Sequence, residues 1–314
     1  MSQHQTVTEK AAQPVATSKP TIALALGAGG AKGLAHIGVI EELEAQGFEI
    51  VAIAGTSMGA LIGGIHAMGK LDVYRDWVCA LAKFDVLRLV DWTFSGGGLI
   101  KGERIIGTLR GLIGDTQIEE LPLTFTAVAT DLDRGREVWL SRGSLFDAIR
   151  ASISVPTVFR PHQLHGRRLV DGALLNPVPV TPLVAARADY VIAVSVDGAA
   201  EATITEAAPR SPLAESSYRH KIGEFIGRLL PQGESQPRAQ GTLDTLTQAM
   251  DLMQANLSRL RLAAYAPDLL IEMPRNIANA YEFYRARELI ERGRLQARAA
   301  LANWPASNGP LRSP

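Results

Sequence analysis

Cysteine is nearly missing: Cys79 stands alone among 314 residues, so no intrachain disulfide can form and a cysteine-based zinc site is excluded. Excess charge is missing as well. The 32 basic and 32 acidic side chains cancel, so no net field draws the chain towards nucleic acid, although one face can still be positive. Long apolar runs are lacking, and nothing approaches the ~20 residues that a membrane span needs. The polar stretch Met1 to Pro20 has no apolar core of the kind a secretory signal carries. These absences lead to the expectation of a soluble cytoplasmic protein, free to touch membranes from the side. The neighbours of Cys79, which are Trp77, Val78 and Leu81, lead to the expectation of a buried thiol.

What is present is a hydrophobic content of 46% with 29 glycines, a composition suited to a compact α/β enzyme with many tight turns. Residues 1–20 read as a disordered tail, 21–300 as one domain, and 301–314 as a C-terminal tail. Thr21 to Leu26 (TIALAL) and Ile50 to Ala54 (IVAIA) are short apolar runs, each stopping at glycine, the look of buried parallel strands. Lys32 to Gln46 and Ser57 to Met68 between and after them read as helices. This strand, helix, strand, helix order predicts a mainly parallel sheet covered on both faces, a three-layer α/β/α fold. Further strands are predicted at 123–130, 137–140, 168–170, 190–196 and 269–273, with helices at 242–263 and 280–300. The stretches 199–216 and 231–241 read as loops.

Two glycine-bearing turns carry the chemistry. Gly55-Thr56-Ser57-Met58-Gly59 is a G-x-S-x-G pattern between a predicted strand and helix, where a nucleophilic serine stands on a sharp turn that only small neighbours permit. The helix start also sets positive partial charge beside a developing oxyanion. Taken alone, the pattern also describes a close strand-to-helix packing turn. Gly27-Ala28-Gly29-Gly30-Ala31-Lys32-Gly33 follows the first strand, and its glycines let backbone N–H groups converge on an anion. A dinucleotide site fits poorly, because Lys32 stands where a third glycine belongs and no acidic residue ends the second strand. A phosphate-binding P-loop lacks its sequence order. An oxyanion hole fits, and both turns fall on the carboxyl edge of a parallel sheet, where open α/β sheets hold their sites.

A serine needs a base. Of the six histidines, His4 lies in the tail, while His36 and His66 read as structural or surface residues. His162 and His165 sit in a Pro/Gly-bordered turn read as a surface loop. His220 alone follows Asp171 in the serine, aspartate, histidine order of α/β-hydrolases, but in a basic, loop-flanked segment. Asp171-Gly172-Ala173 ends a predicted strand, and Asp197-Gly198 is a rival at another.

Three blocks in order, the glycine loop with Lys32, the G-x-S-x-G at Ser57 and the D-G-A at Asp171, resemble the patatin-like phospholipases. The approach Ala151-Ser152-Ile153-Ser154-Val155-Pro156 and the segments Asn176-Pro177 and Ala129-Thr130-Asp131-Leu132 are similar to that family too. The resemblance points to the bacterial, cytoplasmic branch related to neuropathy target esterase. It implies a patatin-like fold and a serine–aspartate dyad, with Ser57 as nucleophile and Asp171 as base. It places the oxyanion hole on Gly29 and Gly30, with Gly27, Lys32, Gly33, Gly55, Gly59 and Gly172 supporting the turns. Many family members carry glycine where this chain has Ala28, which raises the expectation that Gly27 takes any positive φ. The implied activity is hydrolysis of a lipid or fatty-acyl ester, needing neither cofactor nor metal. The alternative is a catalytically silent lipid-binding or regulatory protein on the same fold.

Lys83 to Ile100 is rich in apolar residues and reads as a core-packing helix and turn, or as a wall of an acyl-chain pocket. Arg219 to Leu230 sets Ile222, Phe225, Ile226, Leu229 and Leu230 at helical spacing amid basic residues. Such a helix can make peripheral membrane contact, dock on its own core, or join a homo-oligomer.

Overall fold

The computed structural model describes residues 19–88, 101–156, 158–201 and 242–304. Expectations for the tail before residue 19, the stretch 89–100, the segment 202–241 with its amphipathic helix and His220, and the end beyond 304 lie outside them.

Among the described residues eight strands form one sheet: β1 (Thr21–Leu26), β2 (Glu49–Thr56), β3 (Thr124–Asp131), β4 (Arg136–Leu140), β5 (His162–Leu164), β6 (Arg167–Asp171), β7 (Tyr190–Gly198) and β8 (Leu269–Pro274). Their order is β5-β6-β3-β2-β1-β7-β8, with β4 also paired to β3. The five strands β3, β2, β1, β7 and β8 are parallel, whereas β4, β5 and β6 enter antiparallel. The helices are α1 (Ala35–Ala45), α2 (Met58–Ala67), α3 (Leu71–Ala80), α4 (Lys83–Arg88), α5 (Glu103–Ile113), α6 (Leu145–Ser152), α7 (Thr242–Ala264) and α8 (Ala286–Ala302). Among the described residues no helix is long and apolar enough to cross a membrane.

The alternation within TIALAL gives the sheet one thick face and one thin face. Side chains of a strand point alternately to opposite sides, so Ile22, Leu24 and Leu26 join α1, α2 and α8 in the main core. Each fully buried aliphatic side chain there contributes ~1.5–3 kcal/mol. Ala23 and Ala25 face the other way and pack with Ala52, Ala54, Val178, Val180 and Leu262 of α7. Small side chains on that face let the 171–183 segment lie close to the sheet. The result is a three-layer α/β/α architecture.

One junction in this sheet positions the site. β2 runs along one side of β3 until Thr56 stands opposite Val128. β6 arrives on that same side from the opposite direction, with Asp171 opposite Ala129, the next residue of β3. β4 occupies the other side of β3 from Ala127 to Asp131, across the junction. The two strands therefore meet head-on, carboxyl end to carboxyl end.

Three local expectations need correction. Cys79 is half-buried, because α3 buries Leu71, Tyr74 and Val78 and Cys79 lies one step round the helix from that stripe. Phe84 of α4 is exposed where core packing was expected. His162 and His165 belong to a hairpin instead of a free loop: His162 opens β5, and His165 with Gly166 makes the turn into β6, both at positive φ.

Candidate active site

Ser57 sits between β2 and α2 with φ 55° and ψ −121°. Only Ser57 and His165 among the described non-glycine residues have positive φ, a conformation that costs energy and is found where surrounding structure enforces it. The enforcement is visible. A Cβ on Gly55 would lie 2.4 Å from the Gly59 carbonyl, and one on Gly59 would lie 2.1 Å from the Leu26 carbonyl. The two glycines thus let strand, turn and helix touch backbone to backbone, and seat α2 against the end of β1. The Ser57 N–H donates to Ser152 Oγ at 2.9 Å, and that hydroxyl donates to the Val128 carbonyl at 2.6 Å. Ser57 is only 7% exposed, more enclosed than the sequence pattern suggests.

Asp171 ends β6 and is buried. Its N–H donates to the Ser154 carbonyl at 3.0 Å, so the turn from Ser152 to Ser154 ties down both the serine and the aspartate. Oδ1 accepts the Ala173 N–H at 2.8 Å. The Ser57 hydroxyl stands beside the carboxyl and lowers its pKa. That contact falls short of a full hydrogen bond, and Oδ2 is buried without a completed partner. Burial outweighs both polar contacts and pushes the carboxyl up to about 6. Gly172 lies against β3, where a Cβ would meet the Val128 carbonyl at 2.3 Å.

The glycine loop lies next to the serine turn. A Cβ on Gly33 would come within 2.5 Å of the Met58 side chain. Gly27, Ala28 and Ala31 donate their N–H groups to Val194, Pro177 and Ala280. Between them, the N–H groups of Gly29 and Gly30 have no acceptor among the described residues. Gly30, at φ 54°, takes the one left-handed conformation of this loop. Gly27 does not take it, contrary to expectation, and Ala28 needs none. Lys32 pairs with Asp197 at 2.8 Å, tying the loop to the end of β7 and giving the rival aspartate a structural occupation. His36 is fully buried, and its Nε2–H donates to the Gly27 carbonyl at 2.8 Å. Burial pushes its pKa down to about 4, so it supports the loop as a neutral ring.

Sequence reasoning missed two contributors. Met58, the first residue of α2, has an N–H outside the helical ladder and without an acceptor among the described residues, as helix starts generally do. Its place directly after the serine was the available signal. Ser152 stood in the family-like stretch from Ala151 to Pro156, but nothing in the sequence gave it this role, which depends on where α6 ends. Among the described histidines none neighbours Ser57 by hydrogen bond: His66 lies 3.6 Å from Glu44 and His162 lies 3.9 Å from Asp147. No group of three His, Cys, Asp or Glu among the described residues is arranged to hold a metal ion.

Comparisons with known proteins agree in one direction. The family model described as "Patatin-like phospholipase" matches residues 24–184. An uncharacterised NTE family protein of Mycobacterium tuberculosis is 39% identical, with 91% of this chain and 92% of that protein covered. A second NTE family protein of that species is 32% identical over 91% of this chain, but this chain spans only 47% of it. The lysophospholipase NTE1 of Saccharomyces cerevisiae is 29% identical over 60% of this chain and 12% of its own length.

Proposed function

The chain belongs to the patatin-like phospholipases, within them to the NTE family, and from that premise we propose that it is a serine lipid acyl hydrolase working through Ser57 and Asp171. The support comes above all from the buried carboxyl beside the strained serine, with its pKa raised to about 6. An ordinary aspartate is too weak a base for a serine hydroxyl, and the upward shift narrows that gap.

Ser57 Oγ attacks the ester carbonyl carbon while its proton passes to Asp171 Oδ2. The developing oxyanion accepts hydrogen bonds from the N–H groups of Gly29, Gly30 and Met58, and each such donor is worth about 10²–10³ in turnover. The tetrahedral intermediate collapses, Asp171 returns its proton to the departing alcohol, and the acyl group stays on Ser57. Water then attacks the acyl-enzyme, giving its proton to Asp171, and the fatty acid leaves as Ser57 takes the proton back. The substrate class is a carboxylic ester lipid, lysophospholipids included, in keeping with the name of the fungal relative.

A fluorophosphonate probe tests this directly. Wild type is expected to be labelled on Ser57 and to release fatty acid from lysophospholipid. Ser57→Ala should do neither while melting at an unchanged temperature, since its hydroxyl makes no full hydrogen bond. A folded wild type that takes no label and hydrolyses no ester lipid would overturn the proposal in favour of a silent lipid-binding protein.

A further inference from the structure

Outward from Asp171 the sheet continues as an antiparallel edge. β6 starts at Arg167, about 13 Å from Asp171 at the rise of a strand. β4 starts at Arg136, opposite Asp131 at the end of β3. The acids of this edge are already engaged. Asp131 accepts its own turn's N–H groups and pairs with Arg134 at 3.2 Å, and Asp133 pairs with Arg168. Glu137 holds Asn176 at 2.8 Å and faces Arg261 at 3.6 Å. Arg136 and Arg167 have no acidic partner among the described residues, so the edge carries excess positive charge. Both line an open groove of about 410 Å³ together with Glu137, Val138 and Trp139. Trp139 is 47% exposed, and Leu132 at the tip of the β3–β4 turn is 45% exposed.

Exposed tryptophan and leucine sharing one sheet edge with uncommitted arginines, Trp139 on the opposite face of β4 from Arg136, match a membrane interface met edge-on, where the ring and aliphatic chain enter the headgroup layer and the guanidinium groups meet lipid phosphates. We propose that this edge is a docking surface for an anionic lipid bilayer. Charge complementarity argues for that occupant, and the inference rests on the reading of the chain as a lipid acyl hydrolase. Docking there would hold the sheet end that bears Ser57 and Asp171 towards the layer containing its substrate.

Vesicle co-sedimentation tests the surface, using phosphatidylcholine alone and phosphatidylcholine mixed with phosphatidylglycerol, at low and high salt. Wild type should bind the anionic vesicles at low salt and release at high salt, where screening shortens the reach of surface charge. Each arginine near such a surface is worth about fivefold in partitioning, so Arg136→Ser/Arg167→Ser should bind roughly 25-fold more weakly. Arg136→Lys/Arg167→Lys should bind nearly as wild type. Hydrolysis of a soluble short-chain ester should be equal in all three. If the serine pair melts below the assay temperature, the single Arg136→Glu variant carries the same comparison. Undiminished binding by the serine pair, equal binding to neutral vesicles, or no binding by wild type would each overturn the docking surface. Fluorophosphonate labelling reports separately on the hydrolase reading, so a labelled protein that ignores anionic vesicles fails only here, and a bound but unlabelled one fails only there.

Discussion

A carboxyl group removed from water resists ionisation, and an imidazole removed from water resists protonation; Asp171 and His36 display the two effects side by side. Asp171 titrates near 6 in the fold against an ordinary 3.8. Between those values the folded chain holds a proton that the unfolded chain has lost, so stability falls as pH rises through the window. The full cost above pH 6 is roughly 3 kcal/mol. His36 titrates near 4 against an ordinary 6.5. There the unfolded chain holds the extra proton, so stability rises with pH through nearly the same window. The two slopes oppose each other. Asp171→Asn removes one of them, and its melting temperature is expected to climb from pH 4 to pH 7 and to exceed that of wild type at pH 8. Hydrolysis should meanwhile be lost. A variant less stable than wild type at pH 8 would show that the buried charge carries no such cost. In wild type, kcat/KM for a soluble ester should fall about tenfold per pH unit below about 6, as Asp171 becomes protonated. Replacing His66, His162 or His165 singly by alanine should leave that profile unchanged. His36→Ala should instead lower stability by roughly 2–5 kcal/mol, as large buried side chains do when cut to alanine.

Helices α1 and α8 show how close two elements can come. A Cβ on Gly38 would lie 1.8 Å from the Ile290 carbonyl, and one on Gly293 would lie 2.0 Å from the Ala35 carbonyl. The helices cross backbone to backbone, and a two-pronged Arg298–Glu42 ion pair closes the contact at 3.0 and 2.8 Å. Glycine normally costs a helix up to ~1 kcal/mol relative to alanine. At Gly107 of α5, where nothing lies within 4 Å, Gly107→Ala should raise the urea midpoint accordingly. At Gly293 the sign should reverse, with Gly293→Ala destabilising by ~1–3 kcal/mol through overpacking. Matching shifts at both positions would refute the close crossing. Elements of this kind differ in how far the sequence reveals them. The apolar runs of β1 and β2 and the glycines that end them were legible, because a doubly buried strand has few other readings. α3, α5 and α6 were passed over, although Ser144 with Asp147 three residues later marks the start of α6, where Ser144 Oγ accepts the Asp147 N–H at 3.2 Å. β5 is too short for any periodicity, and only its pairing with β6 makes it a strand.

At the scale of the molecule, the neighbourhood of Ser57 and Asp171 was legible only by likeness to a family. Periodicity finds β2 and β6 separately and says nothing of their sharing one side of β3. Ser152, which ties the serine turn to β3, came to notice only inside the family-like block and with no role attached, for the same reason. That shared side has a consequence for how the chain assembles in time. Contacts between distant segments demand long loop closures, whose entropy must be met before any contact rewards them. The β1, α1, β2, α2 succession can form from neighbouring residues, whereas β6 comes to stand beside the end of β2 only when both are paired with β3. A chain diluted out of urea should regain its helical circular dichroism first and its reactivity towards fluorophosphonate later. During that lag it would carry a shaped serine turn with no base beside it, folded in outline and chemically inert. Recovery of both signals in a single phase would mean that the head-on junction forms with the rest of the sheet.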